Sequence, residues 1–165
     1  MKLEVIIEET GASTIAPKDI NNAVKQELHG AGEHWHKKFR KRHFEMSAFD
    51  RYRYTKRSKK YNRLKKRKLG HTKPLVFTGV SQRLSQGKTI RATPKKVDVV
   101  MPTRAFNFKP PNSQVMMRYE FTQISQDEAR EIDSRMEKGL TKTFVGWKGK
   151  RVTRVRDANG RFIKG

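Results

Sequence analysis

The sequence predicts an α+β fold: a long N-terminal amphipathic helix and a capped C-terminal helix packed on a small antiparallel sheet, with an extended basic arm. Three observations predict it. Apolar residues recur at helical spacing between Ile20 and Phe39, and again between Ala129 and Leu140. Between these stretches, Thr89–Thr93 and Val97–Met101 read as short strands bounded by turn residues. Leu, Ile, Val and Phe make up 35 of the 165 residues, 21%, just above the level at which high charge predicts disorder. That supports one modest core, with part of the chain extended or ordered by partners.

Leu3, Val5 and Ile7 alternate with Glu4 and Glu8, which predicts a strand, and Gly11-Ala12-Ser13 ends it. Pro17 suits a first helical turn, where its missing N–H is not needed. Ile20, Val24, Leu28, Ala31, Trp35 and Phe39 follow at intervals of 4, 4, 3, 4 and 4, predicting a helix from Lys18 to about His43. Gly30 and Gly32 inside it each cost about 1 kcal/mol against alanine, so they mark a kink or a close approach of another backbone.

From Phe44 to Thr72 no clean period survives. Residues 57–68 have a helical option, but like charges at helical spacing repel, and an extended or partly ordered arm over about 44–73 is expected. Val76–Val80 is a short element after Pro74. Thr89–Thr93 and Val97–Met101 form a hairpin across Pro94-Lys95-Lys96. Ala105–Asn112 reads as a loop and Met116–Thr122 as a further strand. Ser125-Gln126-Asp127-Glu128 is a capping box opening a helix from Gln126 to about Thr143, with Ala129, Ile132, Met136 and Leu140 on one face. Asn159-Gly160, between Val152–Arg156 and Arg161–Ile163, is a hairpin signal. A single domain is expected over 1–144, with a basic tail or hairpin over 145–165; no internal repeat is present.

The net charge is +23, from 39 Lys and Arg against 16 Asp and Glu. It is unevenly spread: residues 1–36 carry 3 basic and 6 acidic side chains, whereas residues 37–73 carry 17 basic ones and only Glu45 and Asp50. A surface kept merely soluble mixes signs and stays in single digits of net charge, so this balance points to a polyanion or to an assembly beside one. The expected polyanion or acidic-partner surface is Lys37, Lys38, Arg40, Lys41, Arg42, Arg51, Arg53, Arg57, Lys59, Lys60, Arg63, Lys65, Lys66, Arg67 and Lys68. Phe39, Phe44, Phe49, Tyr52, Tyr54 and Tyr61 interleave with it, either as platforms for bases or, the reading preferred here, as anchors to the core or to a neighbouring subunit. Whether the basic arm meets DNA or an acidic groove stays open.

Other classes are disfavoured. The chain has no cysteine, which excludes disulfides and thiolate metal sites. No apolar run of membrane-spanning length occurs, and the early Glu4 argues against a signal peptide, so a reducing, cytoplasmic origin is expected. His34 and His36 flank Trp35 and point about 200° apart on a helix, so they do not share a metal. No carboxylate cluster, nucleophile motif or phosphate-cradling glycine loop appears, and no enzyme, cofactor or metal is expected.

The run Tyr54-Thr55-Lys56-Arg57-Ser58-Lys59-Lys60-Tyr61, then Lys65 to Lys68, then Lys73-Pro74-Leu75-Val76-Phe77-Thr78-Gly79, resembles the neck or tail-completion proteins of long-tailed bacteriophages, the head–tail joining or minor tail components. Trp35, Tyr54, Arg57, Pro74, Leu75, Thr78 and Gly79 match that pattern in order, over about residues 15–145. The resemblance implies a structural virion protein, made in the host cytoplasm. It would form a homo-oligomeric ring between the portal or adaptor and the tail-tube or tail-terminator proteins. The ring would surround the channel of duplex DNA and touch its backbone without reading sequence. Ile20, Val24, Leu28, Trp35, Pro74, Leu75, Thr78 and Gly79 are the expected assembly and packing residues. The rival readings are a non-viral basic nucleic-acid-binding protein of ribosome-associated type, with arms ordered by RNA, and, more weakly, a nuclease.

Overall fold

The structure, a computed structural model, describes residues 4–5, 16–102, 116–144 and 155–156. Within the span expected as one domain the chain divides into two compact units. The first comprises residues 1–36, 90–100 and 126–165, the second residues 37–89 and 101–125.

The first unit is built on α1 (Pro17–His34) and α6 (Gln126–Phe144), the intervening helices belonging to the second unit. Pro17 opens α1 in the position where proline costs no hydrogen bond, and Asp19 complements the positive end of the helix. Ile20, Val24, Leu28 and Ala31 turn inward and are buried, as the 3.6-residue period requires. α6 starts where expected, with Ser125 and Glu128 both buried there, and presents Ile132, Met136, Leu140 and Phe144 to the core. α1 packs along α6 and against β3 (Val97–Val100), which pairs with β2 (Thr89–Ala92) in the expected hairpin. Thr93 closes the turn: its N–H donates to the Lys96 carbonyl at 2.8 Å, and its Oγ1 accepts from the N–H of Lys96 at 3.1 Å.

Of the two α1 glycines, Gly32 marks the close approach. A Cβ there would stand 3.0 Å from Val97 Cγ2 and 3.2 Å from both Ile90 and Val99, whereas one on Gly30 would meet nothing within 4 Å. A second two-stranded sheet pairs β1 (Glu4–Val5) antiparallel with β4 (Val155–Arg156), opposing Glu4 to Arg156 and Val5 to Val155. The expected loop at 105–112 and the Arg161–Ile163 strand lie outside the described residues.

After α1 the helical path continues as a π-helical turn, Trp35–Phe39, and a 3-10 turn, Arg40–Phe44, so it ends close to the predicted His43. The second unit adds α2 (Ala48–Arg51), α3 (Lys59–Leu69), α4 (Val80–Leu84) and α5 (Met117–Phe121). Two expectations change here. The basic stretch contains an eleven-residue helix, α3, where an extended or partly ordered arm was expected and a helix over 57–68 was the lesser option. Met116–Thr122 is helical: adjacent Glu120 and Phe121 are both buried, and a strand would send neighbours to opposite faces. Of the expected element Val76–Val80, residues 77–79 form a bend that leads into α4, with Gly79 in the left-handed region at φ +78° as its N-cap. Among the described residues no helix is long and apolar enough to cross a membrane.

Candidate polyanion interface

All fifteen cations singled out in the sequence fall in the second unit. Its core explains why they are held as they are. His43, Phe44, Tyr52, Tyr54 and Phe121 form an aromatic cluster: the His43 ring stacks on Tyr52 at 4.0 Å and 7°, and lies 4.9 Å from Phe121. His43 Nδ1 is hydrogen-bonded to the Tyr54 hydroxyl at 2.5 Å. Burial pushes the His43 imidazole down to about 3, so it is neutral in the folded chain. Four of the six interleaved aromatics therefore serve the core. Phe39, Phe44, Tyr52 and Tyr54 are buried, Phe49 and Tyr61 half-buried, and none is an open platform for bases. Exposed Arg53 sits between Tyr52 and Tyr54 at φ +52°, a left-handed backbone that costs a non-glycine residue about 1 kcal/mol.

Three of the expected surface cations are instead engaged inside the unit. Arg57 forms a bidentate pair with Glu120, at 2.8 and 2.5 Å, and Glu120 also accepts the Thr55 N–H at 3.1 Å. Arg40 is buried and donates to Ser85 Oγ at 2.7 Å and to the Gln82 carbonyl at 3.3 Å, tying the end of α4; burial lowers its pKa. Lys65 is buried on the inner side of α3, and its ammonium donates to the Lys73 carbonyl. Burial, together with the nearby Arg57 charge, pushes Lys65 down to about 8. The partners Glu120 and Ser85 were not legible in the sequence, because each lies 45 or more residues from the cation it holds.

α3 gathers the densest set of exposed cations among the fifteen. Ser58 caps its N-terminus, accepting the Tyr61 N–H at 3.2 Å. Gly70 at φ +72° closes its C-terminus, donating to the Lys66 carbonyl at 2.8 Å. Tyr61, Asn62, Lys65 and Leu69 form its buried or half-buried side. Lys59, Lys60, Arg63, Lys66, Arg67 and Lys68 are exposed, and α3 contains no acidic residue. At 100° per residue the first five fall within an arc of about 120°. From Lys59 to Arg67 the axis advances about 12 Å, over which duplex DNA carries about seven phosphates. These like charges weaken the helix by about 0.2–0.5 kcal/mol per neighbouring pair, so the two caps and the Lys65 anchor are what hold it.

Outside α3, Lys37, Lys38, Lys41, Arg51 and Arg53 are exposed and Arg42 is half-buried. Lys38 and Arg42 both lie over the Phe39 ring, at 5.5 and 4.7 Å. The expected assembly residues are mostly core: Ile20, Val24, Leu28 and Trp35 are buried, as are Pro74 and Leu75, while Thr78 is exposed. The α1 stripe is thus spent inside its own chain. The histidines do not gather: His34 pairs with Glu131 at 2.7 Å, His43 with Tyr54, and among the described residues no three metal-ligating side chains converge. Compared with protein-family models, with curated proteins and with solved structures, the chain matches none.

Proposed function

We propose that this protein is a structural component of the bacteriophage neck, forming a homo-oligomeric ring that joins the portal or adaptor to the tail and surrounds the channel of duplex DNA. The observation that carries the polyanion part is the outer face of α3: five exposed cations within one arc, no acid, on a helix fixed at both ends. A fixed face of one sign neutralises phosphates at short range without a sequence code. A ring multiplies that face by the number of copies. The neck assignment rests on the order of Trp35, Tyr54, Arg57, Pro74, Leu75, Thr78 and Gly79. The folded state of the basic stretch favours this reading over a ribosome-associated protein, whose basic arms order on RNA.

Multi-angle light scattering of the full chain, at high and low salt and with short duplex DNA, tests the assembly. A closed species of about six to twelve copies is expected, a range consistent with cyclic assembly through heterologous contacts. A chain that stays monomeric in protein and salt titrations, and gains mass only with RNA, overturns it.

A further inference from the structure

Among the described residues the hairpin of the first unit is a two-stranded sheet. β2 and β3 make a sheet of two four-residue strands, and a two-stranded sheet is marginal unless it is extended or covered. β3 is covered: Val97 and Val99 are buried, and Val97 approaches Gly32 of α1. The matching residues of β2, Ile90 and Ala92, are only half-buried. Among the described residues no strand pairs with the other edge of β2.

A cleft of about 650 Å³ lies along that edge. Its lining takes Ile90, Arg91 and Ala92 from β2 and nothing from β3, so it opens on the side β3 does not occupy. Its other wall is one stripe of α1, Asn22, Lys25, Gln26 and His29, at helical positions i, i+3, i+4 and i+7. No acidic residue lines it, and Lys25, His29 and Arg91 are exposed. An open strand edge supplies unpaired backbone donors and acceptors; the cations beside it select the charge of what pairs there.

We infer that the edge of β2 away from β3 accepts an acidic strand from a second copy of this chain, the N-terminal segment from Leu3 to Glu9. That segment carries Glu4, Glu8 and Glu9, and Leu3, Val5 and Ile7 alternate through it as a strand requires. In its own chain Glu4–Val5 belongs to a separate sheet, paired with Val155–Arg156 and not with β2. Contact of one patch with a different patch on the next copy is the heterologous geometry that closes rings. The inference rests on the proposed function in one respect, that copies of the chain meet.

Charge exchange and mixed cysteines test it in the full-length protein. Lys25→Glu with Arg91→Glu is expected to raise the concentration for half-assembly at least tenfold, with the circular dichroism spectrum unchanged. Glu4→Lys with Glu8→Lys does the same, and all four substitutions together restore assembly. Because the chain has no cysteine, Ile6→Cys, which shares the strand face of Glu4 and Glu8, mixed with Arg91→Cys forms a disulfide-linked dimer under mild oxidation, and a mixture of Thr143→Cys with Arg91→Cys does not. A closed ring by light scattering with no crosslink between Ile6→Cys and Arg91→Cys copies, or without rescue by the fourfold variant, overturns the strand inference and leaves the ring. Crosslinked open chains with no closed species support strand addition and overturn the ring. Monomers throughout, with no crosslink, overturn both.

Discussion

Glu120 and Arg57 form a two-point ion pair whose side chains are only 9% and 14% exposed. Removing one partner of so buried a pair leaves an uncompensated charge, and Glu120 also holds the Thr55 N–H. Glu120→Ala is therefore expected to destabilise the second unit by about 3 kcal/mol, read as a shift in the urea midpoint. His43 sets the response to acid. Its imidazole, held down to about 3 by burial, is neutral when folded, whereas the unfolded chain protonates it near 6.5. The unfolded state therefore binds the extra proton. This contribution to stability is complete above about pH 6.5 and is lost as pH falls toward 3, at a limiting slope of about 1.4 kcal/mol per pH unit. A His43→Gln variant is expected to be weaker at neutral pH but to lack that slope between pH 6 and 4. Equal slopes in the two proteins would show that His43 does not govern acid unfolding.

Within α1 the two glycines have opposite jobs. Gly30→Ala, in open space, is expected to stabilise the first unit by about 0.5–1 kcal/mol through helix propensity alone. Gly32→Leu drives a branched side chain into Val97, Ile90 and Val99 and is expected to destabilise by about 1–3 kcal/mol. Thermal or chemical unfolding of the pair separates them by sign. α3 makes the complementary point. Its composition opposes a free helix, and it stands because Ser58, Gly70 and Lys65 tie both ends and the inner side to the rest of its unit. A composition-based reading of 44–73 as extended misses this, because two of those ties, the cap and the anchor, are side-chain geometries and not a periodic signal.

At the scale of the whole molecule, the fifteen candidate cations reduce to a smaller working set. Replacing Lys59, Lys60, Arg63, Lys66, Arg67 and Lys68 by Gln is expected to lower the log–log salt slope of duplex binding by up to about 5. The same number of changes in the first unit is expected to leave most of the slope in place. An unchanged slope in the α3 variant would place the bound DNA elsewhere. Replacing Arg40, Lys65 and Arg57 is expected to damage folding before it alters the slope, because each is committed to an internal partner.

The sequence by itself determined the α+β class, the course of α1 and α6, the β2–β3 hairpin and the sign of the surface. Each is written in local terms: 3.6-residue spacing, a Pro-bounded turn, a count of charges. Tertiary structure alone decided the rest. It chose Gly32 over Gly30 as the point where the sheet meets the helix, made α5 from a stretch that alternates like a strand, and folded α3. It also removed three cations from the surface by pairing them with Glu120, Ser85 and the Lys73 carbonyl. A buried charge is stable only where a partner meets it. Two of those three partners are remote in the chain, so which cations stay outside is fixed by the packed core and not by the order of residues.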